Sequence, residues 1–316
     1  MATLGLGTAA LGRPVYLNIR ENTFQKQTEF NLGEFKEKGL KLLQSAYDLG
    51  IRHFDTAPNY GIAENIIISW LLDKQYSDVS VSSKWGYTYT ANFDPNAKVH
   101  EEKNHSLQKI TEQWRTTQKL LPFLNTLQIH SATLETGVLD NQEVLQELHR
   151  LKTMHNLKIG LTVTGSNQPE VLKKALDVEI NEKVLFSSFQ VTFNIFDQSL
   201  SDVLHLMKGK QILIKEALAN GRVFPNDSYP NYQKHFDLLH ELSGKYKVGI
   251  DAVALRFCMD SIPRAIILSG ASEAKQLQEN LKTKDFKLTD GELEQLRKLK
   301  VAPRDYWRER AELNWS

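Results

Sequence analysis

Short apolar runs alternate with longer amphipathic segments along almost the whole chain. Eight of the short runs have the length and the side chains of buried β-strands. They cover residues 4–7, 53–56, 79–83, 126–130, 158–163, 185–190, 211–215 and 265–268. Because longer segments with a helical spacing of apolar residues lie between them, the pattern predicts strands that alternate with helices.

The amphipathic segments predict helices over residues 34–49, 141–154, 168–176, 201–207, 231–246, 273–281 and 289–299. In the first segment Phe35, Leu42 and Ala46 fall on one face, and Gly50 stands where a glycine commonly ends a helix. In the last segment Thr289 and Glu292 have the spacing of a capping box, which predicts a helix start.

A strand followed by a helix, repeated eight times, predicts parallel strands joined by right-handed crossovers. A doubly wound open sheet and a closed (β/α)8 TIM barrel both satisfy this order. At roughly 40 residues per unit, eight units account for the length of a barrel with insertions. In addition, Gly5, Gly7 and Gly12 do not have the spacing of a dinucleotide-binding turn, and no helix follows them directly. The sequence therefore favours an α/β fold of the TIM-barrel class.

Composition narrows the classes of function. The chain has 316 residues, 41% of them hydrophobic, and a formal net charge of +1, so there is no whole-molecule electrostatic case for binding nucleic acid or an anionic membrane. Cys258 is the single cysteine, which excludes an internal disulfide or a zinc site of several thiolates. Its apolar surroundings predict that the Cys258 side chain is buried. The low cysteine content is typical of a cytoplasmic protein. The sequence does not indicate an oligomeric state.

Three consecutive predicted strands end in chemically active side chains. Asp55 ends the second strand, with Tyr60 five residues later, Lys84 ends the third and His130 ends the fourth. Barrel enzymes take their catalytic groups from the carboxyl ends of strands and from the loops after them. These four residues are therefore expected at one rim.

Together the four residue types form machinery for delivering a proton to a carbonyl group. A phenol has a pKa near ~10 in water, and a neighbouring ammonium is expected to lower the pKa of Tyr60, while Asp55 holds Lys84 charged. His130 is expected to donate a hydrogen bond to the carbonyl oxygen. Because no side chain supplies hydride, the chemistry implies a nicotinamide cofactor.

Several segments resemble the signature blocks of the aldo-keto reductases. The main ones are Phe-Asp-Thr-Ala-Pro-Asn-Tyr-Gly at 54–61, Ser-Lys-Trp-Gly at 83–86 and Gln-Ile-His-Ser at 128–131. Residues 5–8, 188–191 and 268–280 resemble the family's first strand, sixth strand and adenosine-binding stretch. The matches occur in family order over roughly residues 4–282, nearly the whole chain.

The resemblance implies a single barrel domain over residues 1–316, with a C-terminal helix and tail at 284–316, that reduces aldehydes or ketones reversibly with NADPH, or with NADH. It implies Tyr60 as proton donor, Lys84 and Asp55 as its tuning pair and His130 as carbonyl orienter. Independently, the position of Trp85 directly after Lys84 predicts an apolar contact with the substrate. The implied cofactor-binding residues are Gly7, Thr8, Asp55, Ser131, Thr162, Gln190, Lys215, Glu216, Ala217, Gly270, Ser272, Gln276, Glu279 and Asn280.

The sequence departs from the family pattern at two places. Thr162 and Val163 stand where many members carry Ser and Asn, and Lys215 and Glu216 stand where Ser-Pro-Leu is commoner. Lys215 is expected either to meet the cofactor or the substrate, or to form a solvent-exposed pair with Glu216. Residues 270–280 contain no Arg and one Lys, Lys275, so NADH remains an alternative to NADPH.

Two further hypotheses concern the scaffold and the pocket. The alternative to an enzyme is a cofactor-binding regulatory or sensor protein with negligible turnover; a metal site is not expected, because the His and Asp residues lack a tight cluster. Residues 86–105, the insertion at 13–32 with Tyr16 and Phe24, and the tail at 303–310 are expected to wall or cover the pocket.

Overall fold

A closed barrel of eight parallel strands forms the centre of the protein. The computed structural model describes residues 1–14, 31–94 and 96–313. The barrel strands are β1 (Thr3–Gly7), β2 (His53–Asp55), β3 (Ser80–Trp85), β4 (Leu124–Ala132), β5 (Lys158–Val163), β6 (Phe186–Thr192), β7 (Gln211–Lys215) and β8 (Ile266–Ser269). Each strand pairs with its neighbour in sequence, and β8 closes onto β1. The predicted (β/α)8 fold is confirmed, and every predicted strand end lies within two residues of the observed one.

Ten α-helices lie in the described part of the chain. They are α1 (Leu32–Asp48), α2 (Ala63–Lys74), α3 (Leu107–Thr117), α4 (Gln142–His155), α5 (Gln168–Leu176), α6 (Gln233–Tyr246), α7 (Ile250–Ser261), α8 (Ala274–Leu281), α9 (Asp290–Arg297) and α10 (Pro303–Ala311). Gly50 follows α1 with a φ of 89°, as its position predicted. Thr289 and Glu292 form the expected capping box before α9.

Some local predictions were wrong or incomplete. The helix predicted at 201–207 is a pair of 3₁₀ turns, Ser199–Asp202 and Leu204–Met207. The α-helical repeat fails there because Asp197 Oδ1 accepts from the backbone N–H and the hydroxyl of Ser199, and because Val203 has a φ of −121°. Helix α2 was expected after the second strand but without bounds, since its run of isoleucines and leucines is apolar on most sides and has no clear period.

The core fills the barrel and the space between the barrel and its helices. Phe54, Leu161, Phe189 and Ile267 are fully buried in the strands, and a buried side chain of this size contributes about 2 kcal/mol. Cys258 is also buried, as predicted. Within the described ranges, no helix has the length and apolar character needed to cross a membrane, and no group of three His, Cys, Asp or Glu residues is placed to hold a metal ion.

The carboxyl ends of the strands form one rim, which three other segments surround. The first is the loop between β2 and α2, and the second is an antiparallel hairpin of Tyr87–Tyr89 and Glu101–Lys103 after β3. The third is α10, within the tail that was expected at the opening. Tyr16 and Phe24, predicted to form another wall, lie outside the described residues.

The contact between β5 and β6 leaves no room for a side chain at Gly160. A Cβ there would lie 2.4 Å from the carbonyl oxygen of Ser188, so Gly160→Ala should lower the free energy of unfolding by about 2 kcal/mol. In contrast, Gly244→Ala in α6 would meet no described atom within 4 Å and should raise it by about 0.5–1 kcal/mol. Urea denaturation of both variants measures these changes; an unchanged midpoint for Gly160→Ala would contradict the close approach of the two strands.

Candidate active site

A buried ion pair between Asp55 and Lys84 lies at the centre of the rim. Lys84 Nζ is 2.5 Å from Asp55 Oδ2 and donates to the backbone oxygen of Thr56 at 3.0 Å. The other carboxylate oxygen accepts from Ser82 Oγ at 2.6 Å and from Gln190 Nε2 at 2.8 Å. Lys84 is fully buried and Asp55 is 3% exposed. Because burying charge without partners is costly, these hydrogen bonds determine where both groups lie.

Tyr60 lies directly over this pair. It belongs to the loop between β2 and α2, and Lys84 Nζ is 4.8 Å from the centroid of its ring. Burial first, and then the Asp55 carboxylate, raise the pKa of Tyr60 well above its usual value. The lowering of this pKa that was expected from Lys84 does not outweigh burial and the Asp55 carboxylate, to which the ammonium is bound at contact distance. The phenol is consequently protonated at neutral pH.

His130 faces the Tyr60 ring at the end of β4. The two ring centroids are 5.7 Å apart and the rings are nearly perpendicular. Burial, together with Lys84, lowers the pKa of His130 well below its usual value, so its imidazole is neutral. Its Nδ1 is buried with no hydrogen-bond partner among the described residues. His105 Nε2 donates to the backbone oxygen of His130 at 2.8 Å and holds this strand end in place.

The wall next to His130 is formed by Tyr87 rather than by Trp85. Trp85 was expected to contact substrate, but it is 2% exposed and packs edge-on against His105, with ring centroids 5.6 Å apart. Tyr87 is half-buried, and its ring centroid lies 4.9 Å from that of His130. Gly86, with a φ of 109°, separates the two aromatic residues: Trp85 ends β3 within the core, whereas Tyr87 begins the hairpin above it.

The predicted cofactor residues on β1, β5 and β6 lie around the Asp55 strand end. Gly7 pairs in register with Asp55, and Thr8 donates to the Asp55 backbone oxygen through both its N–H and its hydroxyl. Gln190 binds Asp55 directly. Thr162 Oγ1 accepts from the backbone N–H of Ser131 at 2.7 Å, so the substituted hydroxyl on β5 serves first to hold the loop after β4.

The C-terminal helix packs against the end of β7, where Lys215 is the last residue of the strand and Glu216 and Ala217 follow it. Arg310 of α10 holds Glu216 with hydrogen bonds of 2.7 and 3.0 Å. Burial alone would raise the pKa of Glu216, but Arg310 and Lys215 outweigh it and lower the pKa to about 2. The expected pair of Lys215 and Glu216 forms at 3.8 Å, but it is largely shielded from solvent, since the Glu216 side chain is 6% exposed. Ala217 is buried, whereas Lys215 is half-buried, and burial lowers its pKa to about 8.

Some of the predicted adenosine-binding residues are accessible to a ligand, whereas others are bound to side chains of the protein itself. A Cβ at Gly270 would meet no described atom within 4 Å, and Ser272 is half-exposed next to Gln276, whose side-chain oxygen accepts from the Ser272 N–H at 2.9 Å. Asn280 is buried and binds Ser269 and Asp251, and Glu279 pairs with Lys282. The structure therefore leaves the Gly270–Ser272 stretch accessible and uses Asn280 to brace it.

A cavity of about 480 Å³ lies between the loops after β4 and β5 and the C-terminal helix. Its lining includes Thr133, Glu135, Thr164, Ser166, Asn167 and Arg310, with Trp307 on the side of the helix. Trp307 Nε1 donates to Asp197 at 3.0 Å. The expectation that the tail lies over the opening is met by α10.

Sequence reasoning missed three ionisable residues near the site. Arg13 and Glu101 form an ion pair of 2.9 Å beside Tyr60. Glu64 of α2 is buried and accepts from Ser83 Oγ at 2.6 Å and from Thr117 Oγ1 at 3.1 Å. A carboxylate in the otherwise apolar start of α2 was a usable signal for Glu64, whereas Arg13 and Glu101 lie 88 positions apart and have no shared pattern.

Comparison with known proteins identifies the class to which this barrel and its rim belong. The family model described as "Aldo/keto reductase family" matches residues 3–301. The chain belongs to that family of oxidoreductases. The uncharacterized oxidoreductase YqkF of Bacillus subtilis (strain 168) is 24% identical over 290 residues, which cover 84% of this chain and 89% of the relative.

Solved structures of aldo-keto reductases share the fold at low sequence identity. A holo-form aldo-keto reductase from Bacillus halodurans is 21% identical, with a TM-score of 0.69 and coverage of 95% of this chain and 92% of its own. A glycerol dehydrogenase from Gluconobacter oxydans is 22% identical, with a TM-score of 0.71 and coverage of 94% and 90%. At this identity the likeness establishes the barrel fold.

Glu64 should make stability depend on pH. Burial raises its pKa to about 7, above the ordinary value of a glutamate side chain. The folded state then holds the proton more tightly than the unfolded chain, so the free energy of unfolding should fall as pH rises from about 4.5 to 7. Glu64→Gln stays neutral and should remove about 3 kcal/mol of that fall. Urea denaturation at pH 5 and pH 8 measures it, with exposed Glu294→Gln as the matched control. The same pH dependence in wild type and Glu64→Gln would contradict a protonated Glu64.

Proposed function

We propose that the protein is an NAD(P)H-dependent oxidoreductase that reduces an aldehyde or a ketone to an alcohol, reversibly. The observation that carries the proposal is the cluster of a protonated phenol, a buried ammonium–carboxylate pair and a neutral imidazole around one opening. The Tyr60 ring lies 4.8 Å from Lys84 Nζ and 5.7 Å from the His130 ring. The ligand is a small carbonyl compound, and the proposed location is the cytoplasm.

Each residue of the cluster has a distinct proposed role. Tyr60 is the proton donor, because its raised pKa keeps the hydroxyl protonated until the substrate oxygen becomes an alkoxide. His130 orients the carbonyl by donating from Nε2, which its neutral ring allows. Lys84 and Asp55 hold a fixed dipole beneath the phenol. Tyr87 forms the substrate-facing wall next to His130.

The hydride would come from a nicotinamide cofactor, for which we propose NADPH, with NADH as the alternative. The residues present fit such a group: Gly270 leaves open space beyond β8, Lys215 is a half-buried cation after β7, and the Gln190 amide lies buried at the barrel centre. Gly270, Ser272 and Lys215 would hold the adenosine and phosphate portions, and Gln190 and Thr162 the carboxamide. The holo form of the Bacillus halodurans relative supports cofactor binding.

Tyr60→Phe should abolish turnover while leaving the fold intact. The variant removes only the hydroxyl that donates the proton, and loss of a general acid costs about 100-fold or more in rate. Absorbance at 340 nm follows NADPH consumption with a panel of aldehydes and ketones. Tyr246→Phe is the matched control, because that phenol lies far from the rim and binds Glu292.

Two outcomes would contradict the enzyme. Normal turnover in Tyr60→Phe would remove Tyr60 from the chemistry. Tight cofactor binding by the wild-type chain, without turnover of any carbonyl compound, would instead favour the regulatory or sensor protein on the same scaffold.

The preference for NADPH should depend on an exposed lysine of α8. Lys275 is the one Lys or Arg between residues 270 and 280, so Lys275→Ala should weaken NADPH binding by up to about fivefold, as expected for one exposed ion pair, and leave NADH binding unchanged. Fluorescence titration of each cofactor measures both affinities, with Lys282→Ala as control. Equal affinities of the wild-type chain for the two cofactors would contradict the preference.

A further inference from the structure

Two glycines bring the loop after β1 into direct contact with the loop that carries Tyr60. A Cβ at Gly12 would lie 1.7 Å from the backbone oxygen of Tyr60, and a Cβ at Gly61 would lie 2.0 Å from the backbone oxygen of Gly12. The N–H of Ile62 donates to that Gly12 oxygen at 2.8 Å. Because neither glycine has a side chain, the two backbones touch, and the residue after Gly12 is placed against Tyr60.

That residue, Arg13, is a buried cation. It is 2% exposed, and its guanidinium carbon lies 5.4 Å from the centroid of the Tyr60 ring. Nη1 donates to Glu101 Oε2 at 2.9 Å and to the backbone oxygen of Asn59 at 3.4 Å. Asn59 Nδ2 donates to the same Glu101 oxygen at 2.8 Å. Burying a guanidinium is costly, so the fold holds this charge beside Tyr60 at the expense of stability.

Glu101 connects this charge to the opposite wall of the opening. It belongs to the hairpin that also carries Tyr87, the ring next to His130. Across the hairpin Tyr87 pairs with Lys103, which donates to the backbone oxygen of Ser131 at 3.1 Å. The Arg13–Glu101 pair therefore joins the Tyr60 loop to the segment that walls the His130 side.

We propose that Arg13 is a positioning residue of the active site, whose charge, set by its pairing with Glu101, acts on the Tyr60 hydroxyl and aligns it with the His130 wall. The proposal rests on the proposed function for its consequence in catalysis. It adds a second cation beside the phenol: Lys84, paired with Asp55, lies on the barrel side of Tyr60, and Arg13, paired with Glu101, reaches the ring from the loop after β1.

The charged groups around Tyr60 determine in which direction each charge change should shift the pKa of its hydroxyl. Asp55, Glu101 and Glu216 raise the pKa of Tyr60, in addition to burial, while Arg13 lowers it. The Lys84 ammonium and the His130 ring also lie beside Tyr60, at 4.8 and 5.7 Å from its ring centroid. Removing the positive charge of Arg13 should thus move the ionisation of Tyr60 to higher pH, and removing the negative charge of Glu101 should move it to lower pH.

The test uses the full cofactor-free chain labelled with ¹³Cζ-tyrosine, in which NMR follows the ionisation of Tyr60 and Tyr60→Phe assigns its resonance. Glu101→Gln should lower the midpoint by about one pH unit, and Arg13→Met should keep Tyr60 protonated to a higher pH than in the wild-type chain. Arg13→Lys keeps the charge and should remain near the wild-type midpoint. In the holoenzyme at a fixed pH below the midpoint, Arg13→Met should slow alcohol oxidation about tenfold and Glu101→Gln should accelerate it.

Arg222→Met is the matched control. Arg222 is also buried, lies 4.1 Å from the ring centroid of Tyr306 and pairs with Glu309 at 3.3 Å. It should lose stability as Arg13→Met does, without moving the midpoint of Tyr60. Should Arg13→Met fail to fold, Glu101→Gln and Arg13→Lys carry the same test.

Unmoved midpoints in Arg13→Met and Glu101→Gln, or shifts of the same sign, would overturn the proposal and leave Arg13 a structural residue. Opposite shifts in the NMR titration of a chain that turns over no carbonyl compound would instead uphold the placement of Arg13 and overturn the proposed function.

Discussion

The buried pair of Asp55 and Lys84 is the interaction on which the rim of this barrel depends. Two opposite charges at 2.5 Å in a dry interior tolerate little displacement, because separation would leave each charge without solvent. Ser82 and Gln190 bind the carboxylate, and the Thr56 oxygen binds the ammonium. These bonds connect β2 to the adjacent strand β3 and to the distant strand β6. The ring of Tyr60 packs over the ion pair, which fixes the position of the phenol in its loop.

Two further ion pairs between a carboxylate and a cation lie around the opening. Glu216 is bound by Arg310, whose guanidinium lies 5.3 Å from the Trp307 ring, and Glu101 is bound by Arg13 beside the Tyr60 ring. In each case the carboxylate and the cation come from segments far apart in sequence. Charge pairing therefore assembles the mouth of the barrel: it docks the C-terminal helix on one side and the hairpin on the other. The net charge of +1 gives no sign of these pairs, because each pair consists of one cation and one carboxylate.

Sequence reasoning succeeded where periodicity and local chemistry decide the structure. The strand runs and the Thr289 capping box were predicted correctly, because backbone hydrogen bonding and burial act over a few residues. It gave no bounds for α2, where the apolar run shows no period, and it was wrong at residues 201–207, where Asp197 accepts from the backbone N–H of Ser199. The pairing of Asp55 with Lys84 was expected, but the net rise in the pKa of Tyr60 and the position of Arg13 beside its ring were not.

The amino-acid sequence by itself determined that eight strands alternate with helices and that Asp55, Lys84 and His130 stand at neighbouring strand ends, because parallel strands bring their carboxyl ends to one rim. Only the tertiary structure decided which charges meet and which side chains face the opening. Those outcomes depend on close contacts between loops, such as Gly12 against Gly61, and on the burial of each ionisable group. Solvent exclusion sets the strength of these interactions, and it is a property of the folded assembly rather than of any local run of residues.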